Sequence, residues 1–222
     1  MKNTLIRILF FVICVNVTFA QKAFEPYYPI HPYSCDIVEH NYYTVCMDYE
    51  KRQARWVMYM LTPQMANELE TDVERKSSFR KNPLIGNDMQ LTNRDYMYSG
   101  YDRGHLVPAE DMDINELAMS ESFYYSNTSP QHPNMNRGVW KFIESQVREW
   151  AKEDTVWVIT GPDLNSCTFD FGAGSCIPDY FYKVVIDKKY KRYEAFYVPN
   201  LAYHAESIEE YKVTLDYLEG IL

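Results

Sequence analysis

Long apolar runs are nearly missing from these 222 residues. The one present, residues 8–17, falls short of the roughly 20 apolar residues that a membrane-spanning helix needs. Internal repeats and low-complexity blocks are missing too. So are the Gly-x-Ser-x-Gly elbow of serine hydrolases and the His-Glu-x-x-His helix of zinc peptidases. Gly172-Ala173-Gly174-Ser175 is followed by no lysine, so it reads as a turn rather than a phosphate cradle. Basic residues are in the minority, 22 against 31 acidic, for a net charge of −9. That balance argues against a protein that coats nucleic acid by bulk electrostatics. It leaves room for an enzyme with a locally basic cleft, because a site responds to the charges around it.

What is present begins with an export signal. Lys2 and Arg7 precede the apolar run, and Thr18-Phe19-Ala20 offers a cleavage site before Gln21. Residues 1–20 therefore read as a secretory signal peptide, with a retained anchor as the alternative. Cys14 lacks the small neighbours that lipoprotein processing requires. Residues 21–222 then form a single mature domain, periplasmic or secreted and free of the membrane. Loss of two cations takes its charge to −11 (−9 − 2). About 200 residues bury a substantial core, and 20 tyrosines speak against disorder. Cys35, Cys46, Cys167 and Cys176 remain, and four cysteines allow three pairings. Proximity favours Cys35 with Cys46 and Cys167 with Cys176, each contributing roughly 2–3 kcal/mol. Neither spacing is that of a zinc knuckle, and an exported chain is expected to oxidise them.

Residues 21–34, rich in proline and tyrosine, read as an extended leader. Residues 42–49 and 56–61 are β-rich and flank a polar hairpin turn at residues 50–54. A short helical turn is expected within residues 66–74, followed by a basic loop at residues 75–81. Three further strands are predicted at residues 155–159, 180–186 and 193–198, with Lys188-Lys189 turning between the last two. The clearest helix spans about residues 136–152, where Val139, Ile143, Val147 and Trp150 form an apolar stripe. Glu144 and Arg148 lie one turn apart on another face. A second helix is expected over residues 207–218. Strands before and after a central helix suggest an α+β domain with antiparallel pairing.

The chemistry gathers at residues 99–112, Ser-Gly-Tyr-Asp-Arg-Gly-His-Leu-Val-Pro-Ala-Glu-Asp-Met. His105 can take a proton from water near neutral pH, and Arg103 can steady a developing oxyanion. Alone, Asp-Arg-Gly-His is a weak signal, and a buried histidine fixing a loop is the plain alternative. A second segment sharpens it: Tyr125-Ser126-Asn127-Thr128-Ser129-Pro130-Gln131, then Asn136-Arg137-Gly138-Val139-Trp140, then Glu144. Asn136 also fits a helix cap, Glu144 and Arg148 a solvated ion pair. His31, His40 and His204 read as surface or packing residues, and His132 as a loop residue.

With both segments in place, the chain resembles the DNA/RNA non-specific endonucleases, a branch of the ββα-metal (His-Me finger) nucleases that includes endonuclease G. The resemblance runs from about Tyr42 to the C-terminus, through Val158-Ile159-Thr160-Gly161-Pro162 and Ile177-Pro178-Asp179-Tyr180-Phe181-Tyr182-Lys183. It implies a ββα-metal fold, with a central, mainly antiparallel sheet flanked by helices. It makes His105 the general base and Asn136 the protein ligand of Mg²⁺ or Mn²⁺. Arg103 would lie beside the scissile phosphate, with Asp102 and Gly104 shaping the loop. Asn127 would orient the site near His105. Glu144 and Arg148 would support the metal and the phosphate, and Arg75 is a looser match to a phosphate-binding arginine. A single asparagine suffices for Mg²⁺, which keeps several waters, and a helix start at Asn136 would favour phosphate.

DNA and RNA are the implied substrates, cut to 5′-phosphate and 3′-hydroxyl ends with little sequence preference. Arg75, Arg80, Lys81, Arg94, Arg103, Arg137 and Arg148 are expected to form a basic cleft. Two rivals are a catalytically silent, secreted nucleic-acid-binding module on the same scaffold and an enzyme for another phosphodiester. Relatives are expected to continue past Leu222 through a helix turn and an aromatic tail, a departure that bears on edge packing.

Overall fold

The computed structural model describes residues 35–67, 73–75, 78–172, 174–187, 189, 192–202 and 207–222. The signal peptide, the 21–34 leader, His31 and His204 lie outside the described residues.

In chain order the strands are β1 (Asp36–Glu39), β2 (Tyr43–Asp48), β3 (Gln53–Leu61), β4 (Asp102–His105), β5 (Thr128–Gln131) and β6 (Val156–Pro162). They continue with β7 (Cys167–Phe171), β8 (Ser175–Pro178), β9 (Tyr180–Asp187), β10 (Arg192–Pro199) and β11 (Lys212–Val213). Seven of them form one sheet in the order β1-β2-β3-β6-β9-β10-β11, antiparallel at every pairing. All of β2 is buried, and so is β3 apart from Met60. Such strands read as near-continuous apolar runs rather than alternating ones, because both faces of the sheet are covered.

The core joins sheet residues Val57, Tyr59, Val158, Phe181, Val185 and Phe196 to the helix residues Trp140, Ile143, Val147 and Ala151. Each fully buried aliphatic side chain contributes roughly 1.5–3 kcal/mol. The expected disulfides are both present, Cys35–Cys46 and Cys167–Cys176, with Cα–Cα distances of 5.4 and 5.8 Å. The second closes the β7–β8 ribbon, whose turn holds Gly172 and Gly174 at φ +59° and +82°.

The helices are α1 (Pro63–Asn67), α2 (Asn93–Tyr96), α3 (Glu116–Ser122), α4 (Pro133–Met135), α5 (Lys141–Glu153) and α6 (Leu215–Ile221). Three of them depart from the sequence reading. The first begins before residue 66, because Thr62 accepts the Met65 N–H at 3.2 Å and Pro63 presets the first helical turn; residues 68–72 lie outside the described residues.

The long helix also starts early, at Pro133, where His132 Nδ1 accepts the Asn134 N–H at 3.2 Å. It widens into a π-type turn at Asn136–Trp140 before continuing as α5, with Gly138 non-helical at φ −104°, ψ −110°. Asn136 is therefore not the helix cap. The expected 207–218 helix is instead a 3-10 turn at Ile208–Tyr211, the short strand β11 and α6. Val213 pairs with Ala195 on β10, and Thr214 then caps α6 by accepting the Tyr217 N–H at 3.2 Å.

Candidate functional site

Outside the large sheet, β4 and β5 form a separate antiparallel pair that leads directly into α4. The register sets Asp102 opposite Gln131, Arg103 opposite Pro130, Gly104 opposite Ser129 and His105 opposite Thr128. Strand alternation then divides the tetrapeptide, Arg103 and His105 to one face, Asp102 and Gly104 to the other. Gly104 is required by what covers it. A Cβ there would stand 2.1 Å from Gln131 Oε1.

Asp102 ties strand to helix. It accepts Asn136 Nδ2 at 2.8 Å, and Arg137 reaches both of its oxygens at 2.8 and 2.6 Å. Donation by Nδ2 fixes the carboxamide, so its carbonyl oxygen is turned away from Asp102. That oxygen accepts no hydrogen bond among the described residues.

On the other face, the His105 ring packs against Phe79, with centroids 5.0 Å apart, and edge-on to Phe123 at 4.9 Å. Its Nε2 has no hydrogen-bond partner among the described residues. Burial, with the positive charge of Arg75 behind it, pushes the imidazole pKa down to about 3, so the ring is neutral at physiological pH. The guanidinium of Arg103 lies over Phe79 and Tyr96, 5.6 and 5.5 Å from their centroids, and donates to Asn93 Oδ1.

Asn127 is fully buried. Its backbone oxygen accepts from Leu106 N at 3.0 Å, its Oδ1 from Val107 N at 2.9 Å, and its Nδ2 donates to Val107 and Ser122 carbonyls. Asn127 thus clamps the two residues that follow His105. Of the remaining arginines, Arg80 donates to Ser120 Oγ and stacks over Tyr124, while Arg75 and Arg94 are exposed. His40 is buried beside Asn82.

Glu144 and Arg148 do not pair with one another among the described residues. Arg148 contacts Asp111 and Glu110, each at 2.8 Å, and Asp111 also accepts the Tyr59 hydroxyl at 2.7 Å. The arginine expected to contact phosphate is thus engaged by two carboxylates. Burial raises the Glu144 pKa to about 8; the charges of Lys183 and Arg148 oppose that rise, and those of Asp111 and Glu110 add to it.

Residues 27–221 match the family model described as DNA/RNA non-specific endonuclease. The chain belongs to that family. Mouse (Mus musculus) mitochondrial nuclease EXOG is 31% identical over 192 residues, 78% of this chain and 51% of the mouse protein. Nuclease C1 of Cunninghamella echinulata var. echinulata is 33% identical over 204 residues, 83% of this chain and 79% of its own. A solved complex of EndoG with the inhibitor EndoGI superposes with a TM-score of 0.77 at 28% identity, over 86% of this chain and 85% of that one. The chain spans about half the length of the EXOG relative.

This family member carries two functional candidates that the sequence reading passed over, Asp111 and Lys183. Both are fully buried. Lys183 Nζ stands 4.8 Å from the Trp140 ring centroid and has no hydrogen-bond partner among the described residues. Burial lowers its pKa, and Glu144 and Asp111 hold it up. The signal available for Lys183 was a cation amid the apolar run Tyr180-Phe181-Tyr182-Lys183-Val184-Val185. For Asp111 there was none beyond its nearness to His105.

No group of three or more His, Cys, Asp or Glu side chains gathers to hold a metal among the described residues. The donor set still fits a hard divalent cation. A carboxamide oxygen held by Asp102 is an acceptable ligand for Mg²⁺, which takes oxygen and keeps much of its water.

Proposed function

We propose that this protein is an exported, divalent-cation-dependent endonuclease that hydrolyses phosphodiester bonds of DNA and RNA with little sequence preference. The observation that carries this reading is a neutral His105 on β4, the strand whose Asp102 also fixes the Asn136 carboxamide.

His105 accepts a proton from water as the oxygen attacks phosphorus, a step that needs the free-base imidazole its surroundings maintain. The new P–O bond forms as the bond to the 3′-oxygen breaks, leaving a 5′-phosphate and a 3′-hydroxyl. Arg103 and the exposed Arg75 offset charge on the non-bridging oxygens. Asn136 would hold Mg²⁺ or Mn²⁺, which when bound supplies positive charge to the phosphoryl and departing oxygens. Asn127 keeps the imidazole in place through the Leu106-Val107 backbone. Arg148 acts by holding Asp111 and Glu110. Weak sequence preference follows where contacts go to phosphate, which carries no base information. The two disulfides support an oxidising compartment.

Incubating the mature protein with plasmid and with RNA, with and without EDTA, tests the proposal. Cleavage of both that EDTA abolishes and His105→Ala removes is the expected result. Binding without cleavage would favour the silent module instead.

A further inference from the structure

Tyr98 is the most exposed large side chain described, at 97%. Its backbone is left-handed, φ +62°. A bulky residue in that region is a true outlier, which persists only where the surroundings impose it. Here they do. Ser99 N donates to Tyr96 O at 3.2 Å, Ser99 Oγ donates to Tyr96 O at 2.8 Å, Tyr101 N donates to Ser99 Oγ at 3.1 Å, and Met97 N donates to Asn93 O at 3.0 Å. The turn is thus built to hold a large aromatic ring in water, next to Met97, itself 53% exposed. Burial of apolar surface does not explain this, because no described residue covers it.

The location supplies a reason. α2 ends at Tyr96, and that helix is the support for Arg103, through Asn93 Oδ1 and through the Tyr96 ring beneath the guanidinium. Tyr98 lies two residues beyond Tyr96 and four before Asp102, which keeps its backbone near the rim of the proposed phosphate site. Two residues span at most about 7 Å. Exposed Arg94, on the same helix, adds positive charge to that rim.

We propose that Tyr98 is a stacking platform for an unpaired nucleobase beside the phosphate held at Arg103. Stacking suits a nuclease with little sequence preference, because every base has a π-face and none need be read by hydrogen bonds. The proposal rests on the nuclease reading above and deepens it by naming single-stranded segments as the substrate class this rim takes.

Binding of fluorescein-labelled oligothymidylate, followed by anisotropy in EDTA, reads the platform without cleavage. Tyr98→Gly removes the ring and accepts the left-handed backbone, so its melting temperature should not fall. Its Kd should rise about five- to a hundredfold. The slope of log Kd against log salt should stay unchanged, since no phosphate contact is lost. Tyr98→Phe and Tyr98→Trp should bind like the parent, and a blunt duplex should respond less than the single strand. Equal affinity of parent and Tyr98→Gly for oligothymidylate would overturn the platform while leaving the nuclease reading intact. A parent protein that neither binds nor cuts any nucleic acid would overturn both.

Discussion

His105 and Lys183 are two bases, each with an enclosed nitrogen that no described residue satisfies. Desolvation depresses both. Their neighbours differ. Around His105 stand Phe79, Phe123 and the charge of Arg75, and nothing there rewards a proton. Around Lys183 stand Glu144 and Asp111, which reward one, and the Trp140 face. Apolar and cationic walls hold the imidazole as a free base, whereas acidic walls oppose the loss of the lysine's proton. In the proposed mechanism the first arrangement serves proton abstraction.

Breaking the first half of that contrast should have the largest effect. His105→Ala is expected to lower plasmid nicking by about 10²–10⁴, the usual contribution of general base catalysis. Far-UV circular dichroism should be unchanged. Breaking the second half is expected to move the pH profile. Lys183→Met removes a charge that holds the Glu144 pKa down, so that pKa, already raised to about 8, climbs further. The acidic limb of the pH–rate profile should shift upward, and an unmoved limb would show that Glu144 ionisation does not matter to turnover.

Next is Arg148→Met, which leaves fully buried Asp111 with the Tyr59 hydroxyl as its hydrogen-bond donor among the described residues and Lys183 as a nearby charge. Orphaning one half of a buried ion pair costs about 3–5 kcal/mol, to be read by urea denaturation. Gly104→Ala should cost about 1–3 kcal/mol by pushing into Gln131, and Gln131→Ala in the same chain should return part of it.

The remaining effect concerns stability against pH. The folded-state pKa of His105 is depressed from 6.5 to about 3, so between those values the unfolded chain binds more protons. The stability it contributes is present above pH 6.5 and is lost as pH falls towards 3. His40, lowered by burial to about 4, acts in the same direction. His105→Gln should make the acid decline in melting temperature visibly shallower, and an unchanged slope would place the imidazole in water.

Much of the fold was legible because its signals are local. The strands β2, β3, β6, β9 and β10 are β-branched and aromatic runs, and the Ile143 and Val147 stripe is a helical period. Both disulfides follow from short separations. The site itself was half legible. Asp-Arg-Gly-His announced its chemistry but not its strand, since neither β-branched residues nor alternation mark it. Its conformation is set from Gln131, Asn136 and Arg137, about thirty residues away. The clamping role of Asn127 and the capture of Arg148 by Asp111 and Glu110 likewise depend on partners that no periodicity reveals.

The π-type turn at Asn136–Trp140 uncouples two duties of one helix. In an unbroken α-helix, residues seven apart are nearly eclipsed, with about 20° of drift. Asn136 would then point where Ile143 points, into the hydrocarbon interior. The interruption at Gly138 lets the first turn face the hairpin while the next three face the sheet. Shortening the chain by one residue there would swing the amide inward and leave the proposed cation site without its carboxamide.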